Sequence, residues 1–293
     1  MSPLSFGDRV FLLASEADAW RFAIEMVRRR HAIVGRPKRR RFIVCAGEAA
    51  EPAPPGLEGD DEITILRTDD HAALQAEVDV RTAGILIAPI RTKAGLEVVP
   101  GSVLARLRET ADEYGLILGF DESLCGFGRS GMLWAHEWTG VTPDLMIATH
   151  SPAGVPPLAA LVVTQRLARG AQGGSPPLLG RDALISGHML MDALSTPGFQ
   201  ERVQNRSWRL EDQLAALFYR RRGAFTAPTG LGLMQGLALA GDAEPMRMAL
   251  AERGLLTRAM GSTLGLFPPL TVEESDIDAA AAAIDMICAR EEH

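Results

Sequence analysis

Strand-length runs of apolar residues that alternate with helix-length segments are the feature that most constrains this chain. The runs lie at residues 10–14, 42–46, 63–66, 84–90, 116–120, 145–148 and 159–164. They are continuously apolar, as in strands that are buried on both faces of a parallel sheet. Helix-length segments lie near 16–30, 71–78 and 103–114. Because strand–helix–strand crossovers are right-handed, the pattern predicts an α/β domain with a mostly parallel, doubly wound sheet.

The pattern changes after residue 164. Residues 170–177 are rich in glycine and proline and predict a loop. Helical segments follow at 181–194, 200–222 and 244–253, and strands are predicted at 232–239 and 255–258. We therefore predict a large domain over residues 1–195, followed by a long helix and a small C-terminal α+β domain over residues 196–293.

Composition argues against several classes of protein. The net charge of −7 does not favour a nucleic-acid-binding surface. No run approaches the ~18 apolar residues that a membrane helix needs. The N-terminus lacks the pattern of a signal peptide, so we expect a cytoplasmic protein without a membrane partner. The cysteines, Cys45, Cys125 and Cys288, are odd in number and far apart, which predicts neither a disulfide framework nor a metal site.

One basic run, R-P-K-R-R-R at residues 36–41, leads directly into the predicted strand at 42–46. Such a run commonly forms a solvated entrance to a strand. A role in binding an anion or a nucleic acid is the alternative that the run leaves open.

Two neighbouring motifs carry a family resemblance. Residues 119–131 read G-F-D-E-S-L-C-G-F-G-R-S-G, and residues 143–150 read P-D-L-M-I-A-T-H. Together they resemble the core of the class III (ω-type) aminotransferases. In that family the last position of the second motif is the lysine that holds pyridoxal phosphate (PLP) as a Schiff base. The matching residue here is His150, whose imidazole has no primary amine and cannot form the internal aldimine.

Further motifs extend the resemblance over most of the chain. Glu16 and Ala17 match the family's S-G-x-E-A turn, residues 84–90 match its V-I-V-E-P-V strand, and residues 266–272 match L-L-P-P-L-T-I. The resemblance implies the fold of the PLP-dependent transferases of fold type I, with a large α/β domain and a small C-terminal domain.

The resemblance also implies roles for individual residues. Asp121 matches the aspartate that pairs with the pyridine nitrogen of PLP. Ser123 stands where a branched residue stacks on the ring. Ala14 and Ser15 fall in the turn that cradles the phosphate at a helix N-terminus, although Ala14 replaces a glycine that is free to adopt a positive φ.

Other positions depart from the family's pattern. No aromatic residue that would cover the ring occurs near residues 48–50, and Ala88 replaces the glutamate of the E-P pair. Gly265 stands where an arginine takes the substrate carboxylate. Asp182 or Leu184 replaces the threonine that a neighbouring subunit contributes to the phosphate site. The family's N-terminal segment is also expected to be missing.

Three hypotheses follow. The first is a pseudoenzyme that cannot form the internal aldimine and acts as a scaffold or partner subunit. It implies no cofactor, and no covalent PLP at His150. The second is an enzyme without PLP that uses His150 and Asp121 for acid–base chemistry in the old cleft. The third is a residual PLP-dependent transaminase or aminomutase that holds PLP non-covalently or through Lys93.

The resemblance further implies an assembly. We expect a homodimer formed through the large domain, with residues 127–131, Trp134 and Trp138 near the interface. A heteromer with an aminotransferase-like subunit is the alternative, and no nucleic-acid partner is expected.

Overall fold

The computed structural model describes residues 5–47, 52–67, 70–151, 156–171 and 179–291. The chain divides into two compact units. The first contains Met1–Pro89, Val99–Gly126 and Trp134–Ser195, and the second contains Ile90–Val98, Phe127–Leu133 and Thr196–His293. Two short segments that we assigned to the large domain thus pack with the second unit. The predicted domain division does not anticipate this, because both segments precede residue 195.

A seven-stranded sheet forms the centre of the first unit, with the order β1-β9-β8-β7-β4-β2-β3. Neighbouring strands from β3 to β8 are parallel, and β9 is antiparallel to both β8 and β1. This confirms the predicted mostly parallel α/β sheet. The strands are β1 (Arg9–Leu13), β2 (Arg41–Ala46), β3 (Ile63–Arg67), β4 (Thr82–Ile87), β7 (Ile117–Asp121), β8 (Leu145–His150) and β9 (Leu158–Val163).

Helices cover this sheet: α1 (Glu16–Ile33), α2 (His71–Glu77), α3 (Gly101–Tyr114), α4 (Gln165–Ala168) and α5 (Arg181–Leu194). Helix α1 begins at Ser15, whose hydroxyl accepts a hydrogen bond from the Asp18 amide at 3.1 Å. Its buried face includes Trp20, Ile24 and Val27 and belongs to the same apolar core as the sheet. The helical spacing of these residues stabilises the helix through packing.

The second unit is an antiparallel sheet with three helices and a short hairpin. Its strands β10 (Phe225–Leu231), β11 (Met234–Leu239), β12 (Arg258–Met260) and β13 (Thr263–Leu266) have the order β10-β11-β13-β12. The helices are α6 (Phe199–Arg220), α7 (Glu244–Ala251) and α8 (Glu274–Glu291), and the hairpin pairs β5 (Ile90–Arg91) with β6 (Glu97–Val98). Ion pairs of Arg209 with Asp278 and of Arg221 with Asp285 join α8 to α6 and the residue that follows it.

In the part of the chain that the structure describes, no helix combines the length and apolar character needed to cross a membrane.

Asp144, in the P-D pair of the second motif, joins several elements of the first unit. Its buried carboxylate accepts hydrogen bonds from the Leu118 amide at 3.0 Å, from Arg108 at 3.0 Å and from Arg166 at 2.9 Å. Its own amide donates to the Leu118 carbonyl at 2.8 Å. Because β7, α3 and α4 all depend on this carboxylate, it holds the start of β8 in register.

We expect Asp144→Ala to lower the free energy of unfolding by about 2–4 kcal/mol, because it leaves the buried Leu118 amide without its acceptor and removes the buried carboxylate that Arg108 and Arg166 share. Urea unfolding followed by circular dichroism measures this loss. Asp112→Ala removes the exposed partner of Arg108 and serves as the control, with an expected loss below about 0.5 kcal/mol. Equal losses in the two variants would contradict the assigned role of Asp144.

Candidate functional site

The predicted site residues lie at one edge of the first sheet. Asp121 and His150 are the last residues of the adjacent parallel strands β7 and β8, and Asp121 pairs with Ile147. Because β9 is antiparallel to both β8 and β1, strand β1 runs in the same direction as β8 and brings Ala14 and Ser15 to this edge. Open α/β sheets bind ligands at the carboxyl ends of their strands.

Asp121 provides a carboxyl group at this edge. The side chain is half-buried, and its Oδ1 accepts a hydrogen bond from the Ser123 amide at 3.0 Å. Burial raises the pKa of Asp121, hydrogen bonds with Ser123 oppose the rise, and the charge of Glu122 adds to it. Asp121 thus retains the carboxyl group that the resemblance requires, with an increased tendency to hold a proton.

Glu16 adds a second carboxyl group that our sequence analysis treated only as part of a turn motif. Burial, followed by the charge of Asp121, raises the pKa of Glu16 to about 7. The indole N–H of buried Trp20 lies near these two carboxyl groups and moderates the rise in both pKa values, although it forms no well-aligned hydrogen bond within the described parts of the chain. An acidic residue at the start of a helix after a strand was the signal that could have identified Glu16.

His150 is half-buried at the end of β8, where it pairs with Leu158 of β9. Burial lowers the pKa of His150 and favours the neutral imidazole. A neutral imidazole can accept a proton, so the assignment of His150 and Asp121 as an acid–base pair stays a prediction.

The turn before α1 contains Ala14 and Ser15, the residues that the resemblance places at the phosphate of PLP. Ser15 is extended, with φ −153°, and its hydroxyl donates to the Asp18 carboxylate at 2.8 Å. Among the described residues other than glycine, only Phe127 has a positive φ, so the replacement of glycine by Ala14 forces no strained conformation. A ligand at this turn would therefore meet the backbone amides at the start of α1 and, close to them, the acidic side chains of Glu16 and Asp18.

Glu122 has a structural role next to Asp121. Its fully buried carboxylate accepts hydrogen bonds from the amides of Ala135 at 2.7 Å and His136 at 3.0 Å. One of its oxygens also lies 2.7 Å from Nδ1 of the His136 ring. Two further bonds hold the segment after β7 against β8: the Glu122 amide donates to the Ile147 carbonyl at 2.8 Å, and the Thr149 hydroxyl donates to the Ser123 carbonyl at 2.9 Å.

The positions that depart from the family's pattern are distributed over both units. Gly265 lies in β13, where an added Cβ would come within 2.6 Å of the side chains of Met260 and Phe267, so an arginine here would have to displace both. Asp182 and Leu184 are exposed on α5, and Ala88 follows β4. The predicted ring-cover positions, 48–50, lie outside the described residues.

Lys93 is exposed in the loop of the β5–β6 hairpin and belongs to the second unit, whereas His150 belongs to the first. The described residues contain no group of three or more histidine, cysteine, aspartate or glutamate side chains that could hold a metal ion.

We expect the effect of Glu16→Gln on stability to depend on pH. The folded-state pKa of about 7 lies above the ordinary glutamate pKa of 4.5, so folding gains stability from protonated Glu16 below pH 4.5 and loses it as the pH rises to 7. The variant should match the wild type at pH 4 and be more stable by about 1–2 kcal/mol at pH 8, after allowance for solvent screening. Urea unfolding at both pH values tests this. The control, Glu113→Gln on the exposed face of α3, should show no such difference.

Similar proteins of known activity align with nearly the whole chain. The acetylornithine aminotransferase of Mesorhizobium japonicum is 34% identical over 300 residues, which cover 94% of this chain and 73% of the relative. The acetylornithine aminotransferase of Rhodobacter capsulatus is 33% identical, with 96% and 78% covered. The solved structure of N-acetylornithine aminotransferase from Stenotrophomonas maltophilia K279a has a TM-score of 0.81 at 27% identity, with 97% of this chain and 76% of that chain covered.

PLP, the cofactor of the family that the motifs resemble, fits some of these residues. Asp121 presents a half-exposed carboxyl group, the kind of partner that a protonated ring nitrogen needs, and the start of α1 offers amide donors for a phosphate. His150 does not fit a covalent bond to the cofactor, since imidazole lacks a primary amine. The side chains at this edge therefore fit PLP that is held by non-covalent contacts.

The sequence profile of the class-III aminotransferases, described as "Aminotransferase class-III", matches residues 53–288, which is most of the chain. Our expectation that no cofactor is used is therefore wrong, because this family and its acetylornithine aminotransferases depend on PLP. On the evidence of this match and of the relatives that align with it, the chain belongs to the class III aminotransferase family.

Proposed function

We propose that this chain is a class III aminotransferase homologue that does not link its cofactor covalently at position 150. On this proposal it is a pseudoenzyme with respect to ordinary transamination and acts as a scaffold or partner subunit. The observation that carries the proposal is His150, the last residue of β8, where the second motif of the family ends in lysine.

The distribution of lysines supports this proposal. Lys38 and Lys93 are the only lysines in the sequence. Lys38 precedes β2 and lies at the opposite end of the sheet from His150, and Lys93 is an exposed residue of the second unit. Neither occupies the end of β8, and only a primary amine forms the covalent bond.

The remaining side chains suit a cofactor that is held without that bond. Asp121 would bind the ring nitrogen, and the amides at the start of α1 would bind the phosphate. When bound, PLP supplies an electron sink. Neutral His150 would lie at the end of the strand next to Asp121 and could hold a proton there.

Borohydride reduction in the presence of PLP tests the proposal. We expect no reduced adduct on the wild-type protein, and an adduct at position 150 in His150→Lys, because this variant restores a primary amine at the end of β8. Absorbance and peptide mapping by mass spectrometry provide the readout. His188→Lys, at an exposed position of α5, is the matched control and should remain without an adduct.

A wild-type adduct that maps to Lys93 and disappears in Lys93→Ala would contradict the proposal and favour a residual PLP-dependent enzyme. Failure of His150→Lys to form an adduct would show that position 150 does not correspond to the family's lysine.

We also propose that the chain forms a homodimer through α5, which presents Leu184, Ile185 and Met189 to solvent. Met189 is 67% exposed, which is unusual for an apolar side chain in the middle of a helix. The interface residues that we predicted are less suitable, because Trp134 and Phe127 are buried within the chain and only Trp138 is substantially exposed. Support for the proposal therefore comes from α5.

We expect the double variant Ile185→Asp, Met189→Asp to be a monomer, because two carboxylates would have to be buried in the interface. Size-exclusion chromatography with light scattering measures the mass of the variant and of the dimeric wild type. Met286→Asp, at an exposed apolar position of α8, should remain dimeric. A wild-type monomer that assembles only after an intact aminotransferase subunit is added would favour the heteromer instead.

A further inference from the structure

An open pocket of about 450 Å³ lies at the end of the first sheet opposite to Asp121 and His150. It is formed by the turn between α1 and β2 and by Val80, which lies two residues before β4, so the pocket lies where these parallel strands begin. A strand of six residues is about 20 Å long, which separates this pocket from the carboxyl ends of the strands. The lining residues are Gly35, Arg36, Pro37, Lys38, Arg39 and Val80.

The pocket carries three cationic side chains. Arg36 and Lys38 are exposed, whereas Arg39 is fixed by donating to the Gly115 carbonyl at 2.7 Å and the Tyr114 carbonyl at 2.8 Å. Among the described residues, no carboxylate forms an ion pair with any of the three. Burial, followed by the charge of Arg36, lowers the pKa of Arg39, which shows that like charges are crowded here.

Three other arginines of this region differ from these because each has an acidic partner. Arg28 pairs with Asp60 at 2.9 Å, Arg81 pairs with Glu62 at 2.7 Å, and Arg41 pairs with Glu77. The carboxylates of Asp60, Glu62 and Glu77 are therefore already engaged. Within the described ranges of the chain, the charges of Arg36, Lys38 and Arg39 remain without an ion pair. Burial lowers the pKa of nearby His31, its hydrogen bond to the Ala83 carbonyl opposes this, and the charges of Arg39 and Arg36 lower the pKa further.

An apolar surface adjoins these charges. Val80 is 76% exposed, and Pro37 lines the same pocket. Cationic side chains bind phosphate groups, and an exposed apolar side chain beside them offers a contact for a ring or another apolar group. A volume of about 450 Å³ lies in the range of small-molecule sites.

We propose that this pocket binds a phosphorylated small molecule of nucleotide size. Its phosphate groups would contact Arg36 and Lys38 in the positive field of Arg39, and its apolar part would lie against Pro37 and Val80. This site is separate from the family's cleft, because it occupies the amino-terminal end of the strands. The net charge of −7 favours a small anion over a nucleic-acid polymer, which would meet the acidic remainder of the surface.

Isothermal titration calorimetry of the full chain with ATP, inorganic pyrophosphate and adenosine tests the proposal. We expect ATP to bind, adenosine to show no detectable binding, and the affinity for ATP to fall as salt is raised. The double variant Arg36→Ala, Lys38→Ala should weaken ATP binding at least tenfold. Val80→Ser should weaken ATP binding about threefold without affecting pyrophosphate.

The control Arg106→Ala, Arg253→Ala removes the same number of exposed positive charges elsewhere and should bind ATP like the wild type. His150→Lys should also bind ATP normally, so that this result is independent of the proposed function. No ATP binding, equal binding by the double variant, or equal affinities for adenosine and ATP would overturn the proposal. Pyrophosphate binding as tight as that of ATP would overturn the apolar contact and with it the nucleotide-sized ligand.

Discussion

The parallel pairing of β7 with β8 is the constraint on which the candidate site depends. Asp144 fixes this pairing at the start of β8 through the amide and the carbonyl of Leu118. Beyond the end of β7, the hydrogen bond from the Thr149 hydroxyl to the Ser123 carbonyl keeps the two chain segments together. Asp121 and His150 therefore end adjacent strands. A shift of one residue in this pairing would turn the side chains of β8, including His150, to the opposite face of the sheet relative to those of β7.

The alternating apolar runs were sufficient to predict the first sheet, because strands buried on both faces show their burial directly in the sequence. The second unit was harder. Strand β10 contains Pro228 and Gly230, which are uncommon in strands, and β13 has only four residues. Neither sequence therefore gives a clear strand pattern. The proximity of Glu16 to Asp121 could not be predicted from spacing, because it depends on how α1 packs across the sheet. The burial of Trp134 could not be predicted either, because it depends on the hydrogen bonds that the Glu122 carboxylate accepts from the amides of the next two residues, Ala135 and His136.

The residues that maintain this fold are different from those that would react. Asp144 and Glu122 both satisfy backbone amides inside the first unit, and each is needed whether or not a cofactor is attached. His150 forms an ordinary strand pair with Leu158. On the proposed function, histidine in place of lysine at the end of β8 would therefore remove a chemical group without removing a structural one. This separation explains how a chain can retain the aminotransferase fold without the residue that the family uses for covalent attachment.

The two ends of the first sheet carry opposite charge. Arg36 and Lys38 lie at the amino ends of the strands, and Glu16 and Asp121 lie at the carboxyl ends. A separation of about 20 Å exceeds the Debye length of about 8 Å, so neither end compensates the other. An anionic cofactor at the carboxyl ends must therefore be accommodated locally. With a pKa of about 7, Glu16 is protonated in roughly half of the molecules at neutral pH. This reduces the negative charge at the place where a phosphate-bearing group without a covalent anchor would have to be held.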